Sequence, residues 1–284
     1  MRPNIDPLGQ QGATYQQCPA CGYADALAVT VRDGKDLFHC HAGCDQTDLL
    51  RAIRNRAAGA SLAQPLGVAR QRQAQARITT PPPSATYVQQ LWQQSQAGFG
   101  SLAQTYLASR GLRFTPEIWP SDLRFLSKHP HKPSGTSWPI MLAAVRGLDG
   151  ELLAVHRTYL APDGSGKAPV TPAKMTLGSV GGHAVQLAPA ATKLAIAEGI
   201  ETALSVMLAS AIPCWSAVSA GGIRNLILPP LPLAADVTIA ADPDPAGLNA
   251  AQTAAQRWLA EGRTVRIATP PLGQDFNDLI REPL

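Results

Sequence analysis

Short, largely apolar runs recur through the last third of the chain, at residues 194–197, 214–218 and 237–241, each bounded by turn residues, and 264–268 reads as a further strand. Runs of that length without alternation fit strands buried on both faces. Between them the spacing predicts helices over 200–208 and 246–260, a Gly221-Gly222 turn leading into a short helix, and a stop at Gly262. Strand and helix in alternation predict a compact α/β sheet. The middle of the chain reads differently. Helical spacing runs from Val88 to Leu107 in two stretches interrupted at 98–100, with Gly111 as a stop. Beyond Trp119 come short strands, among them 140–145 and 152–157, which flank the hairpin signal Asp149-Gly150. A mixed α+β part is expected there. Near the start, Leu27, Val29 and Val31 alternate with Ala28, Thr30 and Arg32, Asp33-Gly34 turns the chain, and residues 36–38 return. A helix over 45–56 follows, with Leu49, Leu50 and Ile53 on one face.

Four of the five cysteines bracket that first hairpin, as Cys18-x-x-Cys21 and Cys40-x-x-x-Cys44. Four thiolates so spaced suit tetrahedral Zn²⁺, and two knuckles joined by strands describe a β zinc ribbon. His39 and His41 are alternative ligands, although the cysteines already complete a set of four. Tyr23 and Phe38 are either stacking residues or the ribbon's small core, and Cys214 reads as a core residue. The stretch after the first helix adds Arg70, Arg72 and Arg77 among Ala, Gln and Gly without an acid, as a flexible basic linker would. The expected organisation is a ribbon with its helix at 1–56, a linker at 57–86, a middle module at 87–190 and an α/β module at 191–284.

Composition supports several modules. The 284 residues are 45% apolar, enough for real cores, and include 25 prolines, many in connections such as Pro81-Pro82-Pro83. A net charge of +4 is unevenly spread: residues 191–284 carry six Lys and Arg against nine Asp and Glu, so the front is basic and the rear acidic. This fits a front that touches a polyanion and a rear that needs metal ions to do so. No signal peptide core and no 18-residue apolar run is found, so a cytoplasmic protein without membrane contact is expected.

The rear acids sit where chemistry is usually built. Glu198 follows the apolar run 194–197, and Asp242 and Asp244 in Asp-Pro-Asp-Pro-Ala-Gly follow 237–241, so each falls at the end of a buried strand. Carboxylates gathered there repel one another unless a hard cation such as Mg²⁺ or Mn²⁺ is held. Helix capping at 246–260 explains one acid of the Asp pair and not both. Glu201 reads as a solvated first-turn acid favoured by the helix dipole. Asp275 and Asp278 are either a further metal contact or a cap. Arg157, Lys167 and Lys174 close the middle part as candidates for phosphate or template contact, with ordinary exposed cations as the alternative. Gly164-Ser165-Gly166-Lys167 is not a P-loop, since it lacks the upstream glycine and the following Ser or Thr.

Glu-Gly at a strand end, Asp242-Pro243-Asp244-Pro245-Ala246-Gly247 after a later strand, and 274–279 (Gln-Asp-Phe-Asn-Asp-Leu) together resemble the Toprim domain of bacterial primases, topoisomerases and some nucleases. With a zinc ribbon in front, the chain is similar to bacterial and phage or mobile-element primases. That resemblance implies a DNA primase making short RNA primers on single-stranded DNA from NTPs. Glu198, Asp242 and Asp244 would hold Mg²⁺ or Mn²⁺, Arg157, Lys167 and Lys174 would bind nucleotide and template, and the ribbon zinc would be structural. The chain departs from the family at Thr202, where a further carboxylate is common, and in its all-cysteine ribbon. No helicase motif is evident, so a replicative helicase would be a separate protein. A non-catalytic zinc and Toprim recombination mediator and a Toprim nuclease remain as alternatives.

Overall fold

The computed structural model describes residues 14–20, 27–32, 35–40, 46–57, 83–271 and 273–281, and the chain divides into two compact units at Pro81/Pro82. The first unit contains β1 (Thr14–Gln16), β2 (Leu27–Arg32), β3 (Lys35–Cys40) and α1 (Gln46–Ala57). Its three strands form an antiparallel sheet in which Arg32 pairs with Lys35, and the expected Asp33-Gly34 turn lies outside the described residues. Cys18, Leu27, Cys40 and Leu49 are buried together, with Val29, Phe38 and Ile53 packed against them, which places Phe38 at the core. Cys21, Cys44, His41 and Tyr23 lie outside the described residues.

The second unit begins with α2 (Pro83–Gln94), four residues before the expected module start, and continues with β4 (Gln96–Ala97), α3 (Leu102–Ser109), β5 (Leu123–His131), β6 (Thr136–Arg146), β7 (Leu152–Tyr159), β8 (Lys174–Gly178) and β9 (Ala184–Gln186). Ser101 caps α3 by accepting the Ala103 amide at 3.1 Å, and Gly111, at φ +80°, ends it as expected. There follow β10 (Lys193–Ala197), α4 (Ile200–Ser210), β11 (Cys214–Ser216), α5 (Ala220–Asn225), β12 (Asp236–Ala240), α6 (Pro245–Ala260), β13 (Thr264–Ala268) and α7 (Phe276–Arg281). The expected alternation of strand and helix therefore holds in this part, except that β11 ends at Ser216 and Gly221-Gly222, expected as a turn, lie within α5.

Two expected sheets are in fact one. All ten strands β4 to β13 belong to a single sheet, whose main path runs β13-β12-β10-β11-β9-β6-β5-β4, with β7 and β8 added alongside β6. The splice is β9, which pairs antiparallel with β11 on one side and with Val145 and Arg146 of β6 on the other. Three residues at this position carry no periodicity that sequence reading could use. The central parallel strand β10 is buried on both faces, Leu194 to Ala197 at 0% exposure, which explains its unbroken apolar run, whereas the edge strand β13 is largely exposed. On one face, Tyr106 and Leu107 of α3, over β5 and β6, and Ile200, Ala203 and Leu204 of α4, over β10 and β11, share one core with Phe125, Met141 and Ala143. On the other, Val88 and Leu91 of α2 cover Ile140, Leu142 and Tyr159. No helix among the described residues is long and apolar enough to cross a membrane.

Candidate active site

Glu198 and Asp242 leave adjacent parallel strands at the same edge. The ladder between β10 and β12 runs in register to Ala197 opposite Ala240, and each acid comes just after its strand. On the other side of β10, Ser216 of β11 donates its hydroxyl to the Glu198 carbonyl at 2.9 Å. The Glu198 carboxylate accepts the backbone amide of Ala220, the first residue of α5. That amide is delivered by a tight turn: Val218 has φ +70°, a strained conformation for a β-branched residue, and at Gly222 a Cβ would lie 1.8 Å from the Ala217 carbonyl oxygen. Gly221 and Gly222, expected as a turn before a short helix, lie inside α5, and residue types alone do not show that its first N–H is aimed at Glu198.

Asp244 is the N-cap of α6, one carboxylate oxygen accepting the amides of Ala246 at 2.9 Å and Gly247 at 2.7 Å. Capping uses that oxygen and leaves the negative charge in place beside Asp242. Gly247 is needed where the helix meets the strand end, because a Cβ there would stand 2.7 Å from the Asp242 carbonyl oxygen. Burial pushes Glu198 up to about 7, helped by the charges of Asp242 and then Asp244. Asp242 is raised by burial, and further by Asp244 and Asp275. Four carboxylates thus share one electrostatic neighbourhood. Asp275 and Asp278 cap each other reciprocally, Asp278 Oδ2 accepting the Asp275 amide at 2.9 Å and Asp275 Oδ1 the Asp278 amide at 2.8 Å. Asp275 also meets Arg110 at 3.5 Å, so both acids are engaged, and Asp275 reaches the acidic edge through its charge on Asp242.

Among the described residues no group of three His, Cys, Asp or Glu converges as a ready metal cage. Mutual repulsion without a counter-ion opposes such convergence. The donors at the edge are all carboxylate oxygens, two of them, on Glu198 and Asp242, with raised proton affinity, a hard set whose chemistry fits Mg²⁺ or Mn²⁺.

Beside the acids lies a cationic cluster organised by Glu201, and here the expectation of a solvated acid is corrected. Glu201 is 6% exposed; it accepts the Tyr106 hydroxyl on Oε1 at 2.6 Å and Lys174 Nζ on Oε2 at 2.8 Å. Burial alone would raise its pKa, but the Lys174 ammonium and the hydrogen bonds from Lys174 and Tyr106 hold it down at about 2. The reason is position: three residues after Glu198, it faces the sheet rather than solvent. Lys167 lies close to Lys174, and its pKa is lowered by burial and then by Lys174's charge. His156, pushed down to about 4 by burial and then by Lys174, stays neutral near pH 7.

Arg157 is not part of this cluster. In the antiparallel ladder Thr158 pairs with Lys174, whereas Arg157 pairs with Met175 and, across β6, with Leu142. Strand alternation therefore turns Arg157 toward the α2 face, away from Lys174. There it is buried and donates to the Thr176 carbonyl at 3.3 Å. Tyr106, Arg110 and the Ala220 amide are site groups that sequence reading missed; nothing in their local pattern marks them, since each reaches the edge only through tertiary packing.

Residues 193–284 match the family model of the Toprim domain, and residues 83–187 match that of a domain of unknown function, DUF7146. No curated protein matches the chain in sequence. Among solved structures, the chain is similar to a DNA primase domain from Pseudomonas aeruginosa, at 17% identity over 70% of this chain and 74% of that one, with a TM-score of 0.47. It is also similar to the zinc-binding and RNA polymerase domains of Aquifex aeolicus primase, at 13% identity over 99% and 77% of the two chains, TM-score 0.49. The primase fragment of the bacteriophage T7 primase-helicase protein matches at 16% identity over 93% of each chain, TM-score 0.41. The Toprim resemblance read from the acidic motifs thus holds for the C-terminal part.

Proposed function

We propose that the chain is a primase-type nucleotidyltransferase that makes short RNA primers on single-stranded DNA. The observation that carries this reading is the juxtaposition of a coupled acidic edge, Glu198, Asp242 and Asp244, with a lysine pair, Lys167 and Lys174, brought next to it by the middle module. Acids alone would serve any metal-dependent chemistry on phosphates. An adjoining pair of ammonium groups suits the polyphosphate of an incoming nucleotide.

In this reading Glu198, Asp242 and Asp244 hold the divalent cation. When bound, it would neutralise phosphate charge and favour in-line attack by a hydroxyl. The chain's own groups do the rest. Lys174 and Lys167 orient the triphosphate, the Ala220 amide fixes the Glu198 carboxylate, and the Asp244 cap keeps Asp242 and Asp244 in fixed relation at the start of α6. The N-terminal unit, with a zinc on Cys18, Cys21, Cys40 and Cys44, engages the template, and a replicative helicase is supplied separately.

The test is incubation with single-stranded DNA, labelled NTPs and Mg²⁺ or Mn²⁺. Oligonucleotides should form, and Asp242→Ala and Glu198→Gln should abolish them. No product on any template with either metal would sink the proposal, and metal-dependent DNA cleavage without NTPs would replace it with a nuclease.

A further inference from the structure

Lys174 stands between two sets of acids. Its Nζ is bound to Glu201, yet its positive charge also stabilises the ionised forms of Glu198 and Asp242, so it lies within Coulomb reach of both. Its side chain is 34% exposed and ends a flexible four-carbon stem, so nothing covalent or steric confines the ammonium to Glu201. Glu198 and Asp242, each burdened by like charge, would gain from any cation that reached them. Lys167 adds a push, because two ammonium groups close together repel. Without a strong local partner, Lys174 would be drawn onto the acidic edge and fill the place of a divalent ion.

We propose that Glu201 is a positioning residue that parks the Lys174 ammonium and so keeps Glu198 and Asp242 available for the divalent cation; the inference rests on the metal-binding part of the reading above. Three features suit Glu201 to this work. It is buried, so its attraction for Lys174 is less screened than that of an exposed acid. The hydroxyl of Tyr106, a residue 1% exposed, occupies Oε1 and leaves Oε2 to face the lysine. It also lies on the first turn of α4, three residues from Glu198, so the parked ammonium stays close enough to meet a phosphate delivered to the edge. Among the other charged or titratable neighbours, His156 is neutral, Arg110 is engaged with Asp275, and Lys167 adds its charge to the stabilisation of the ionised Glu201, whose hydrogen-bonded ion pair is with Lys174.

Mn²⁺ affinity, read from the electron paramagnetic resonance of free Mn²⁺ with the full chain and no nucleotide or DNA, tests this. Asp242→Ala serves as the blank. Glu201→Gln should weaken Mn²⁺ binding about fivefold, on the scale of one partly exposed ion pair, and Glu201→Gln/Lys174→Met should restore the wild-type value. Tyr106→Phe, which removes a buried hydrogen bond but keeps the ion pair, should change affinity less than about twofold. Unchanged affinity in Glu201→Gln overturns the proposal, as does a double variant as weak as the single one, or equal weakening by Tyr106→Phe. Should Glu201→Gln fail to fold, Lys174→Met alone decides: binding tightened about threefold by loss of a nearby like charge supports the parked lysine, and unchanged or weaker binding overturns it. A wild type that binds Mn²⁺ but makes no primers refutes the polymerase reading and leaves this one standing; one that binds no Mn²⁺ refutes both.

Discussion

Replacing Glu198 by Gln should make the metal-free protein more stable at pH 8. The carboxyl rises from 4.5 to about 7 in the folded state, through burial first and then the charges of Asp242 and Asp244. An acid whose folded pKa is raised contributes stability that is complete below 4.5 and is lost as pH climbs through 7, because the folded state resists giving up the proton. At roughly 1.4 kcal/mol per pK unit the full displacement is worth about 3 kcal/mol. Partial solvent contact screens the charge and reduces this to about 2 kcal/mol. Gln keeps an oxygen for the Ala220 amide, so the substitution removes charge with little change of shape. For a folded unit of this size about 2 kcal/mol corresponds to a rise of roughly 4–8 °C in Tm. Thermal melts with a chelator at pH 4.5 and pH 8 measure it. The gain should be present at pH 8 and nearly absent at pH 4.5. A variant no more stable than wild type at pH 8, or equally stabilised at both, would refute the electrostatic account of the edge.

Other consequences are open to simpler measurements. Asp244→Ala should cost about 1 kcal/mol through loss of the α6 cap and should weaken Mn²⁺ binding; Asp244→Ser should recover the stability and not the affinity, which separates the two duties of one side chain. Gly247→Ala should destabilise by about 1–3 kcal/mol, since its Cβ would press on the Asp242 carbonyl, and a melt that matches wild type would contradict that close approach. In the N-terminal unit, elemental analysis should find one zinc per chain, lost in Cys18→Ser and in Cys40→Ser, whose thiols are both buried at its core.

Much of the fold was legible from local pattern. The strands at 193–197, 236–240 and 264–268 and the helices α4 and α6 begin or end within about two residues of their expected bounds, because a central parallel strand such as β10 must be continuously apolar and the helices beside the sheet must carry one apolar face. The place of Glu198 and Asp242 at strand ends was legible for a related reason: an acid just after a buried strand has no core role to play. Other features had no local signature. The three-residue β9 is too short for periodicity, and it alone joins what reads as two sheets.

Partnership was the least legible property. Asp244 and Asp278 look alike in the chain, but one caps α6 at the acidic edge while the other is consumed in a reciprocal cap with Asp275. Arg157 and Lys174 look like one cationic set until the β7–β8 register puts them on opposite faces of the sheet. Glu201 reads as a surface acid, and becomes a buried anchor only when Tyr106, 95 residues earlier, and Lys174, 27 residues earlier, close around it. Residue type and spacing are enough to say which segments are buried and where charge must leave the core, since those follow from hydrophobicity and the helix and strand repeats. Which charges meet is settled by strand order and register, quantities that depend on contacts between distant segments and that no single stretch of chain encodes.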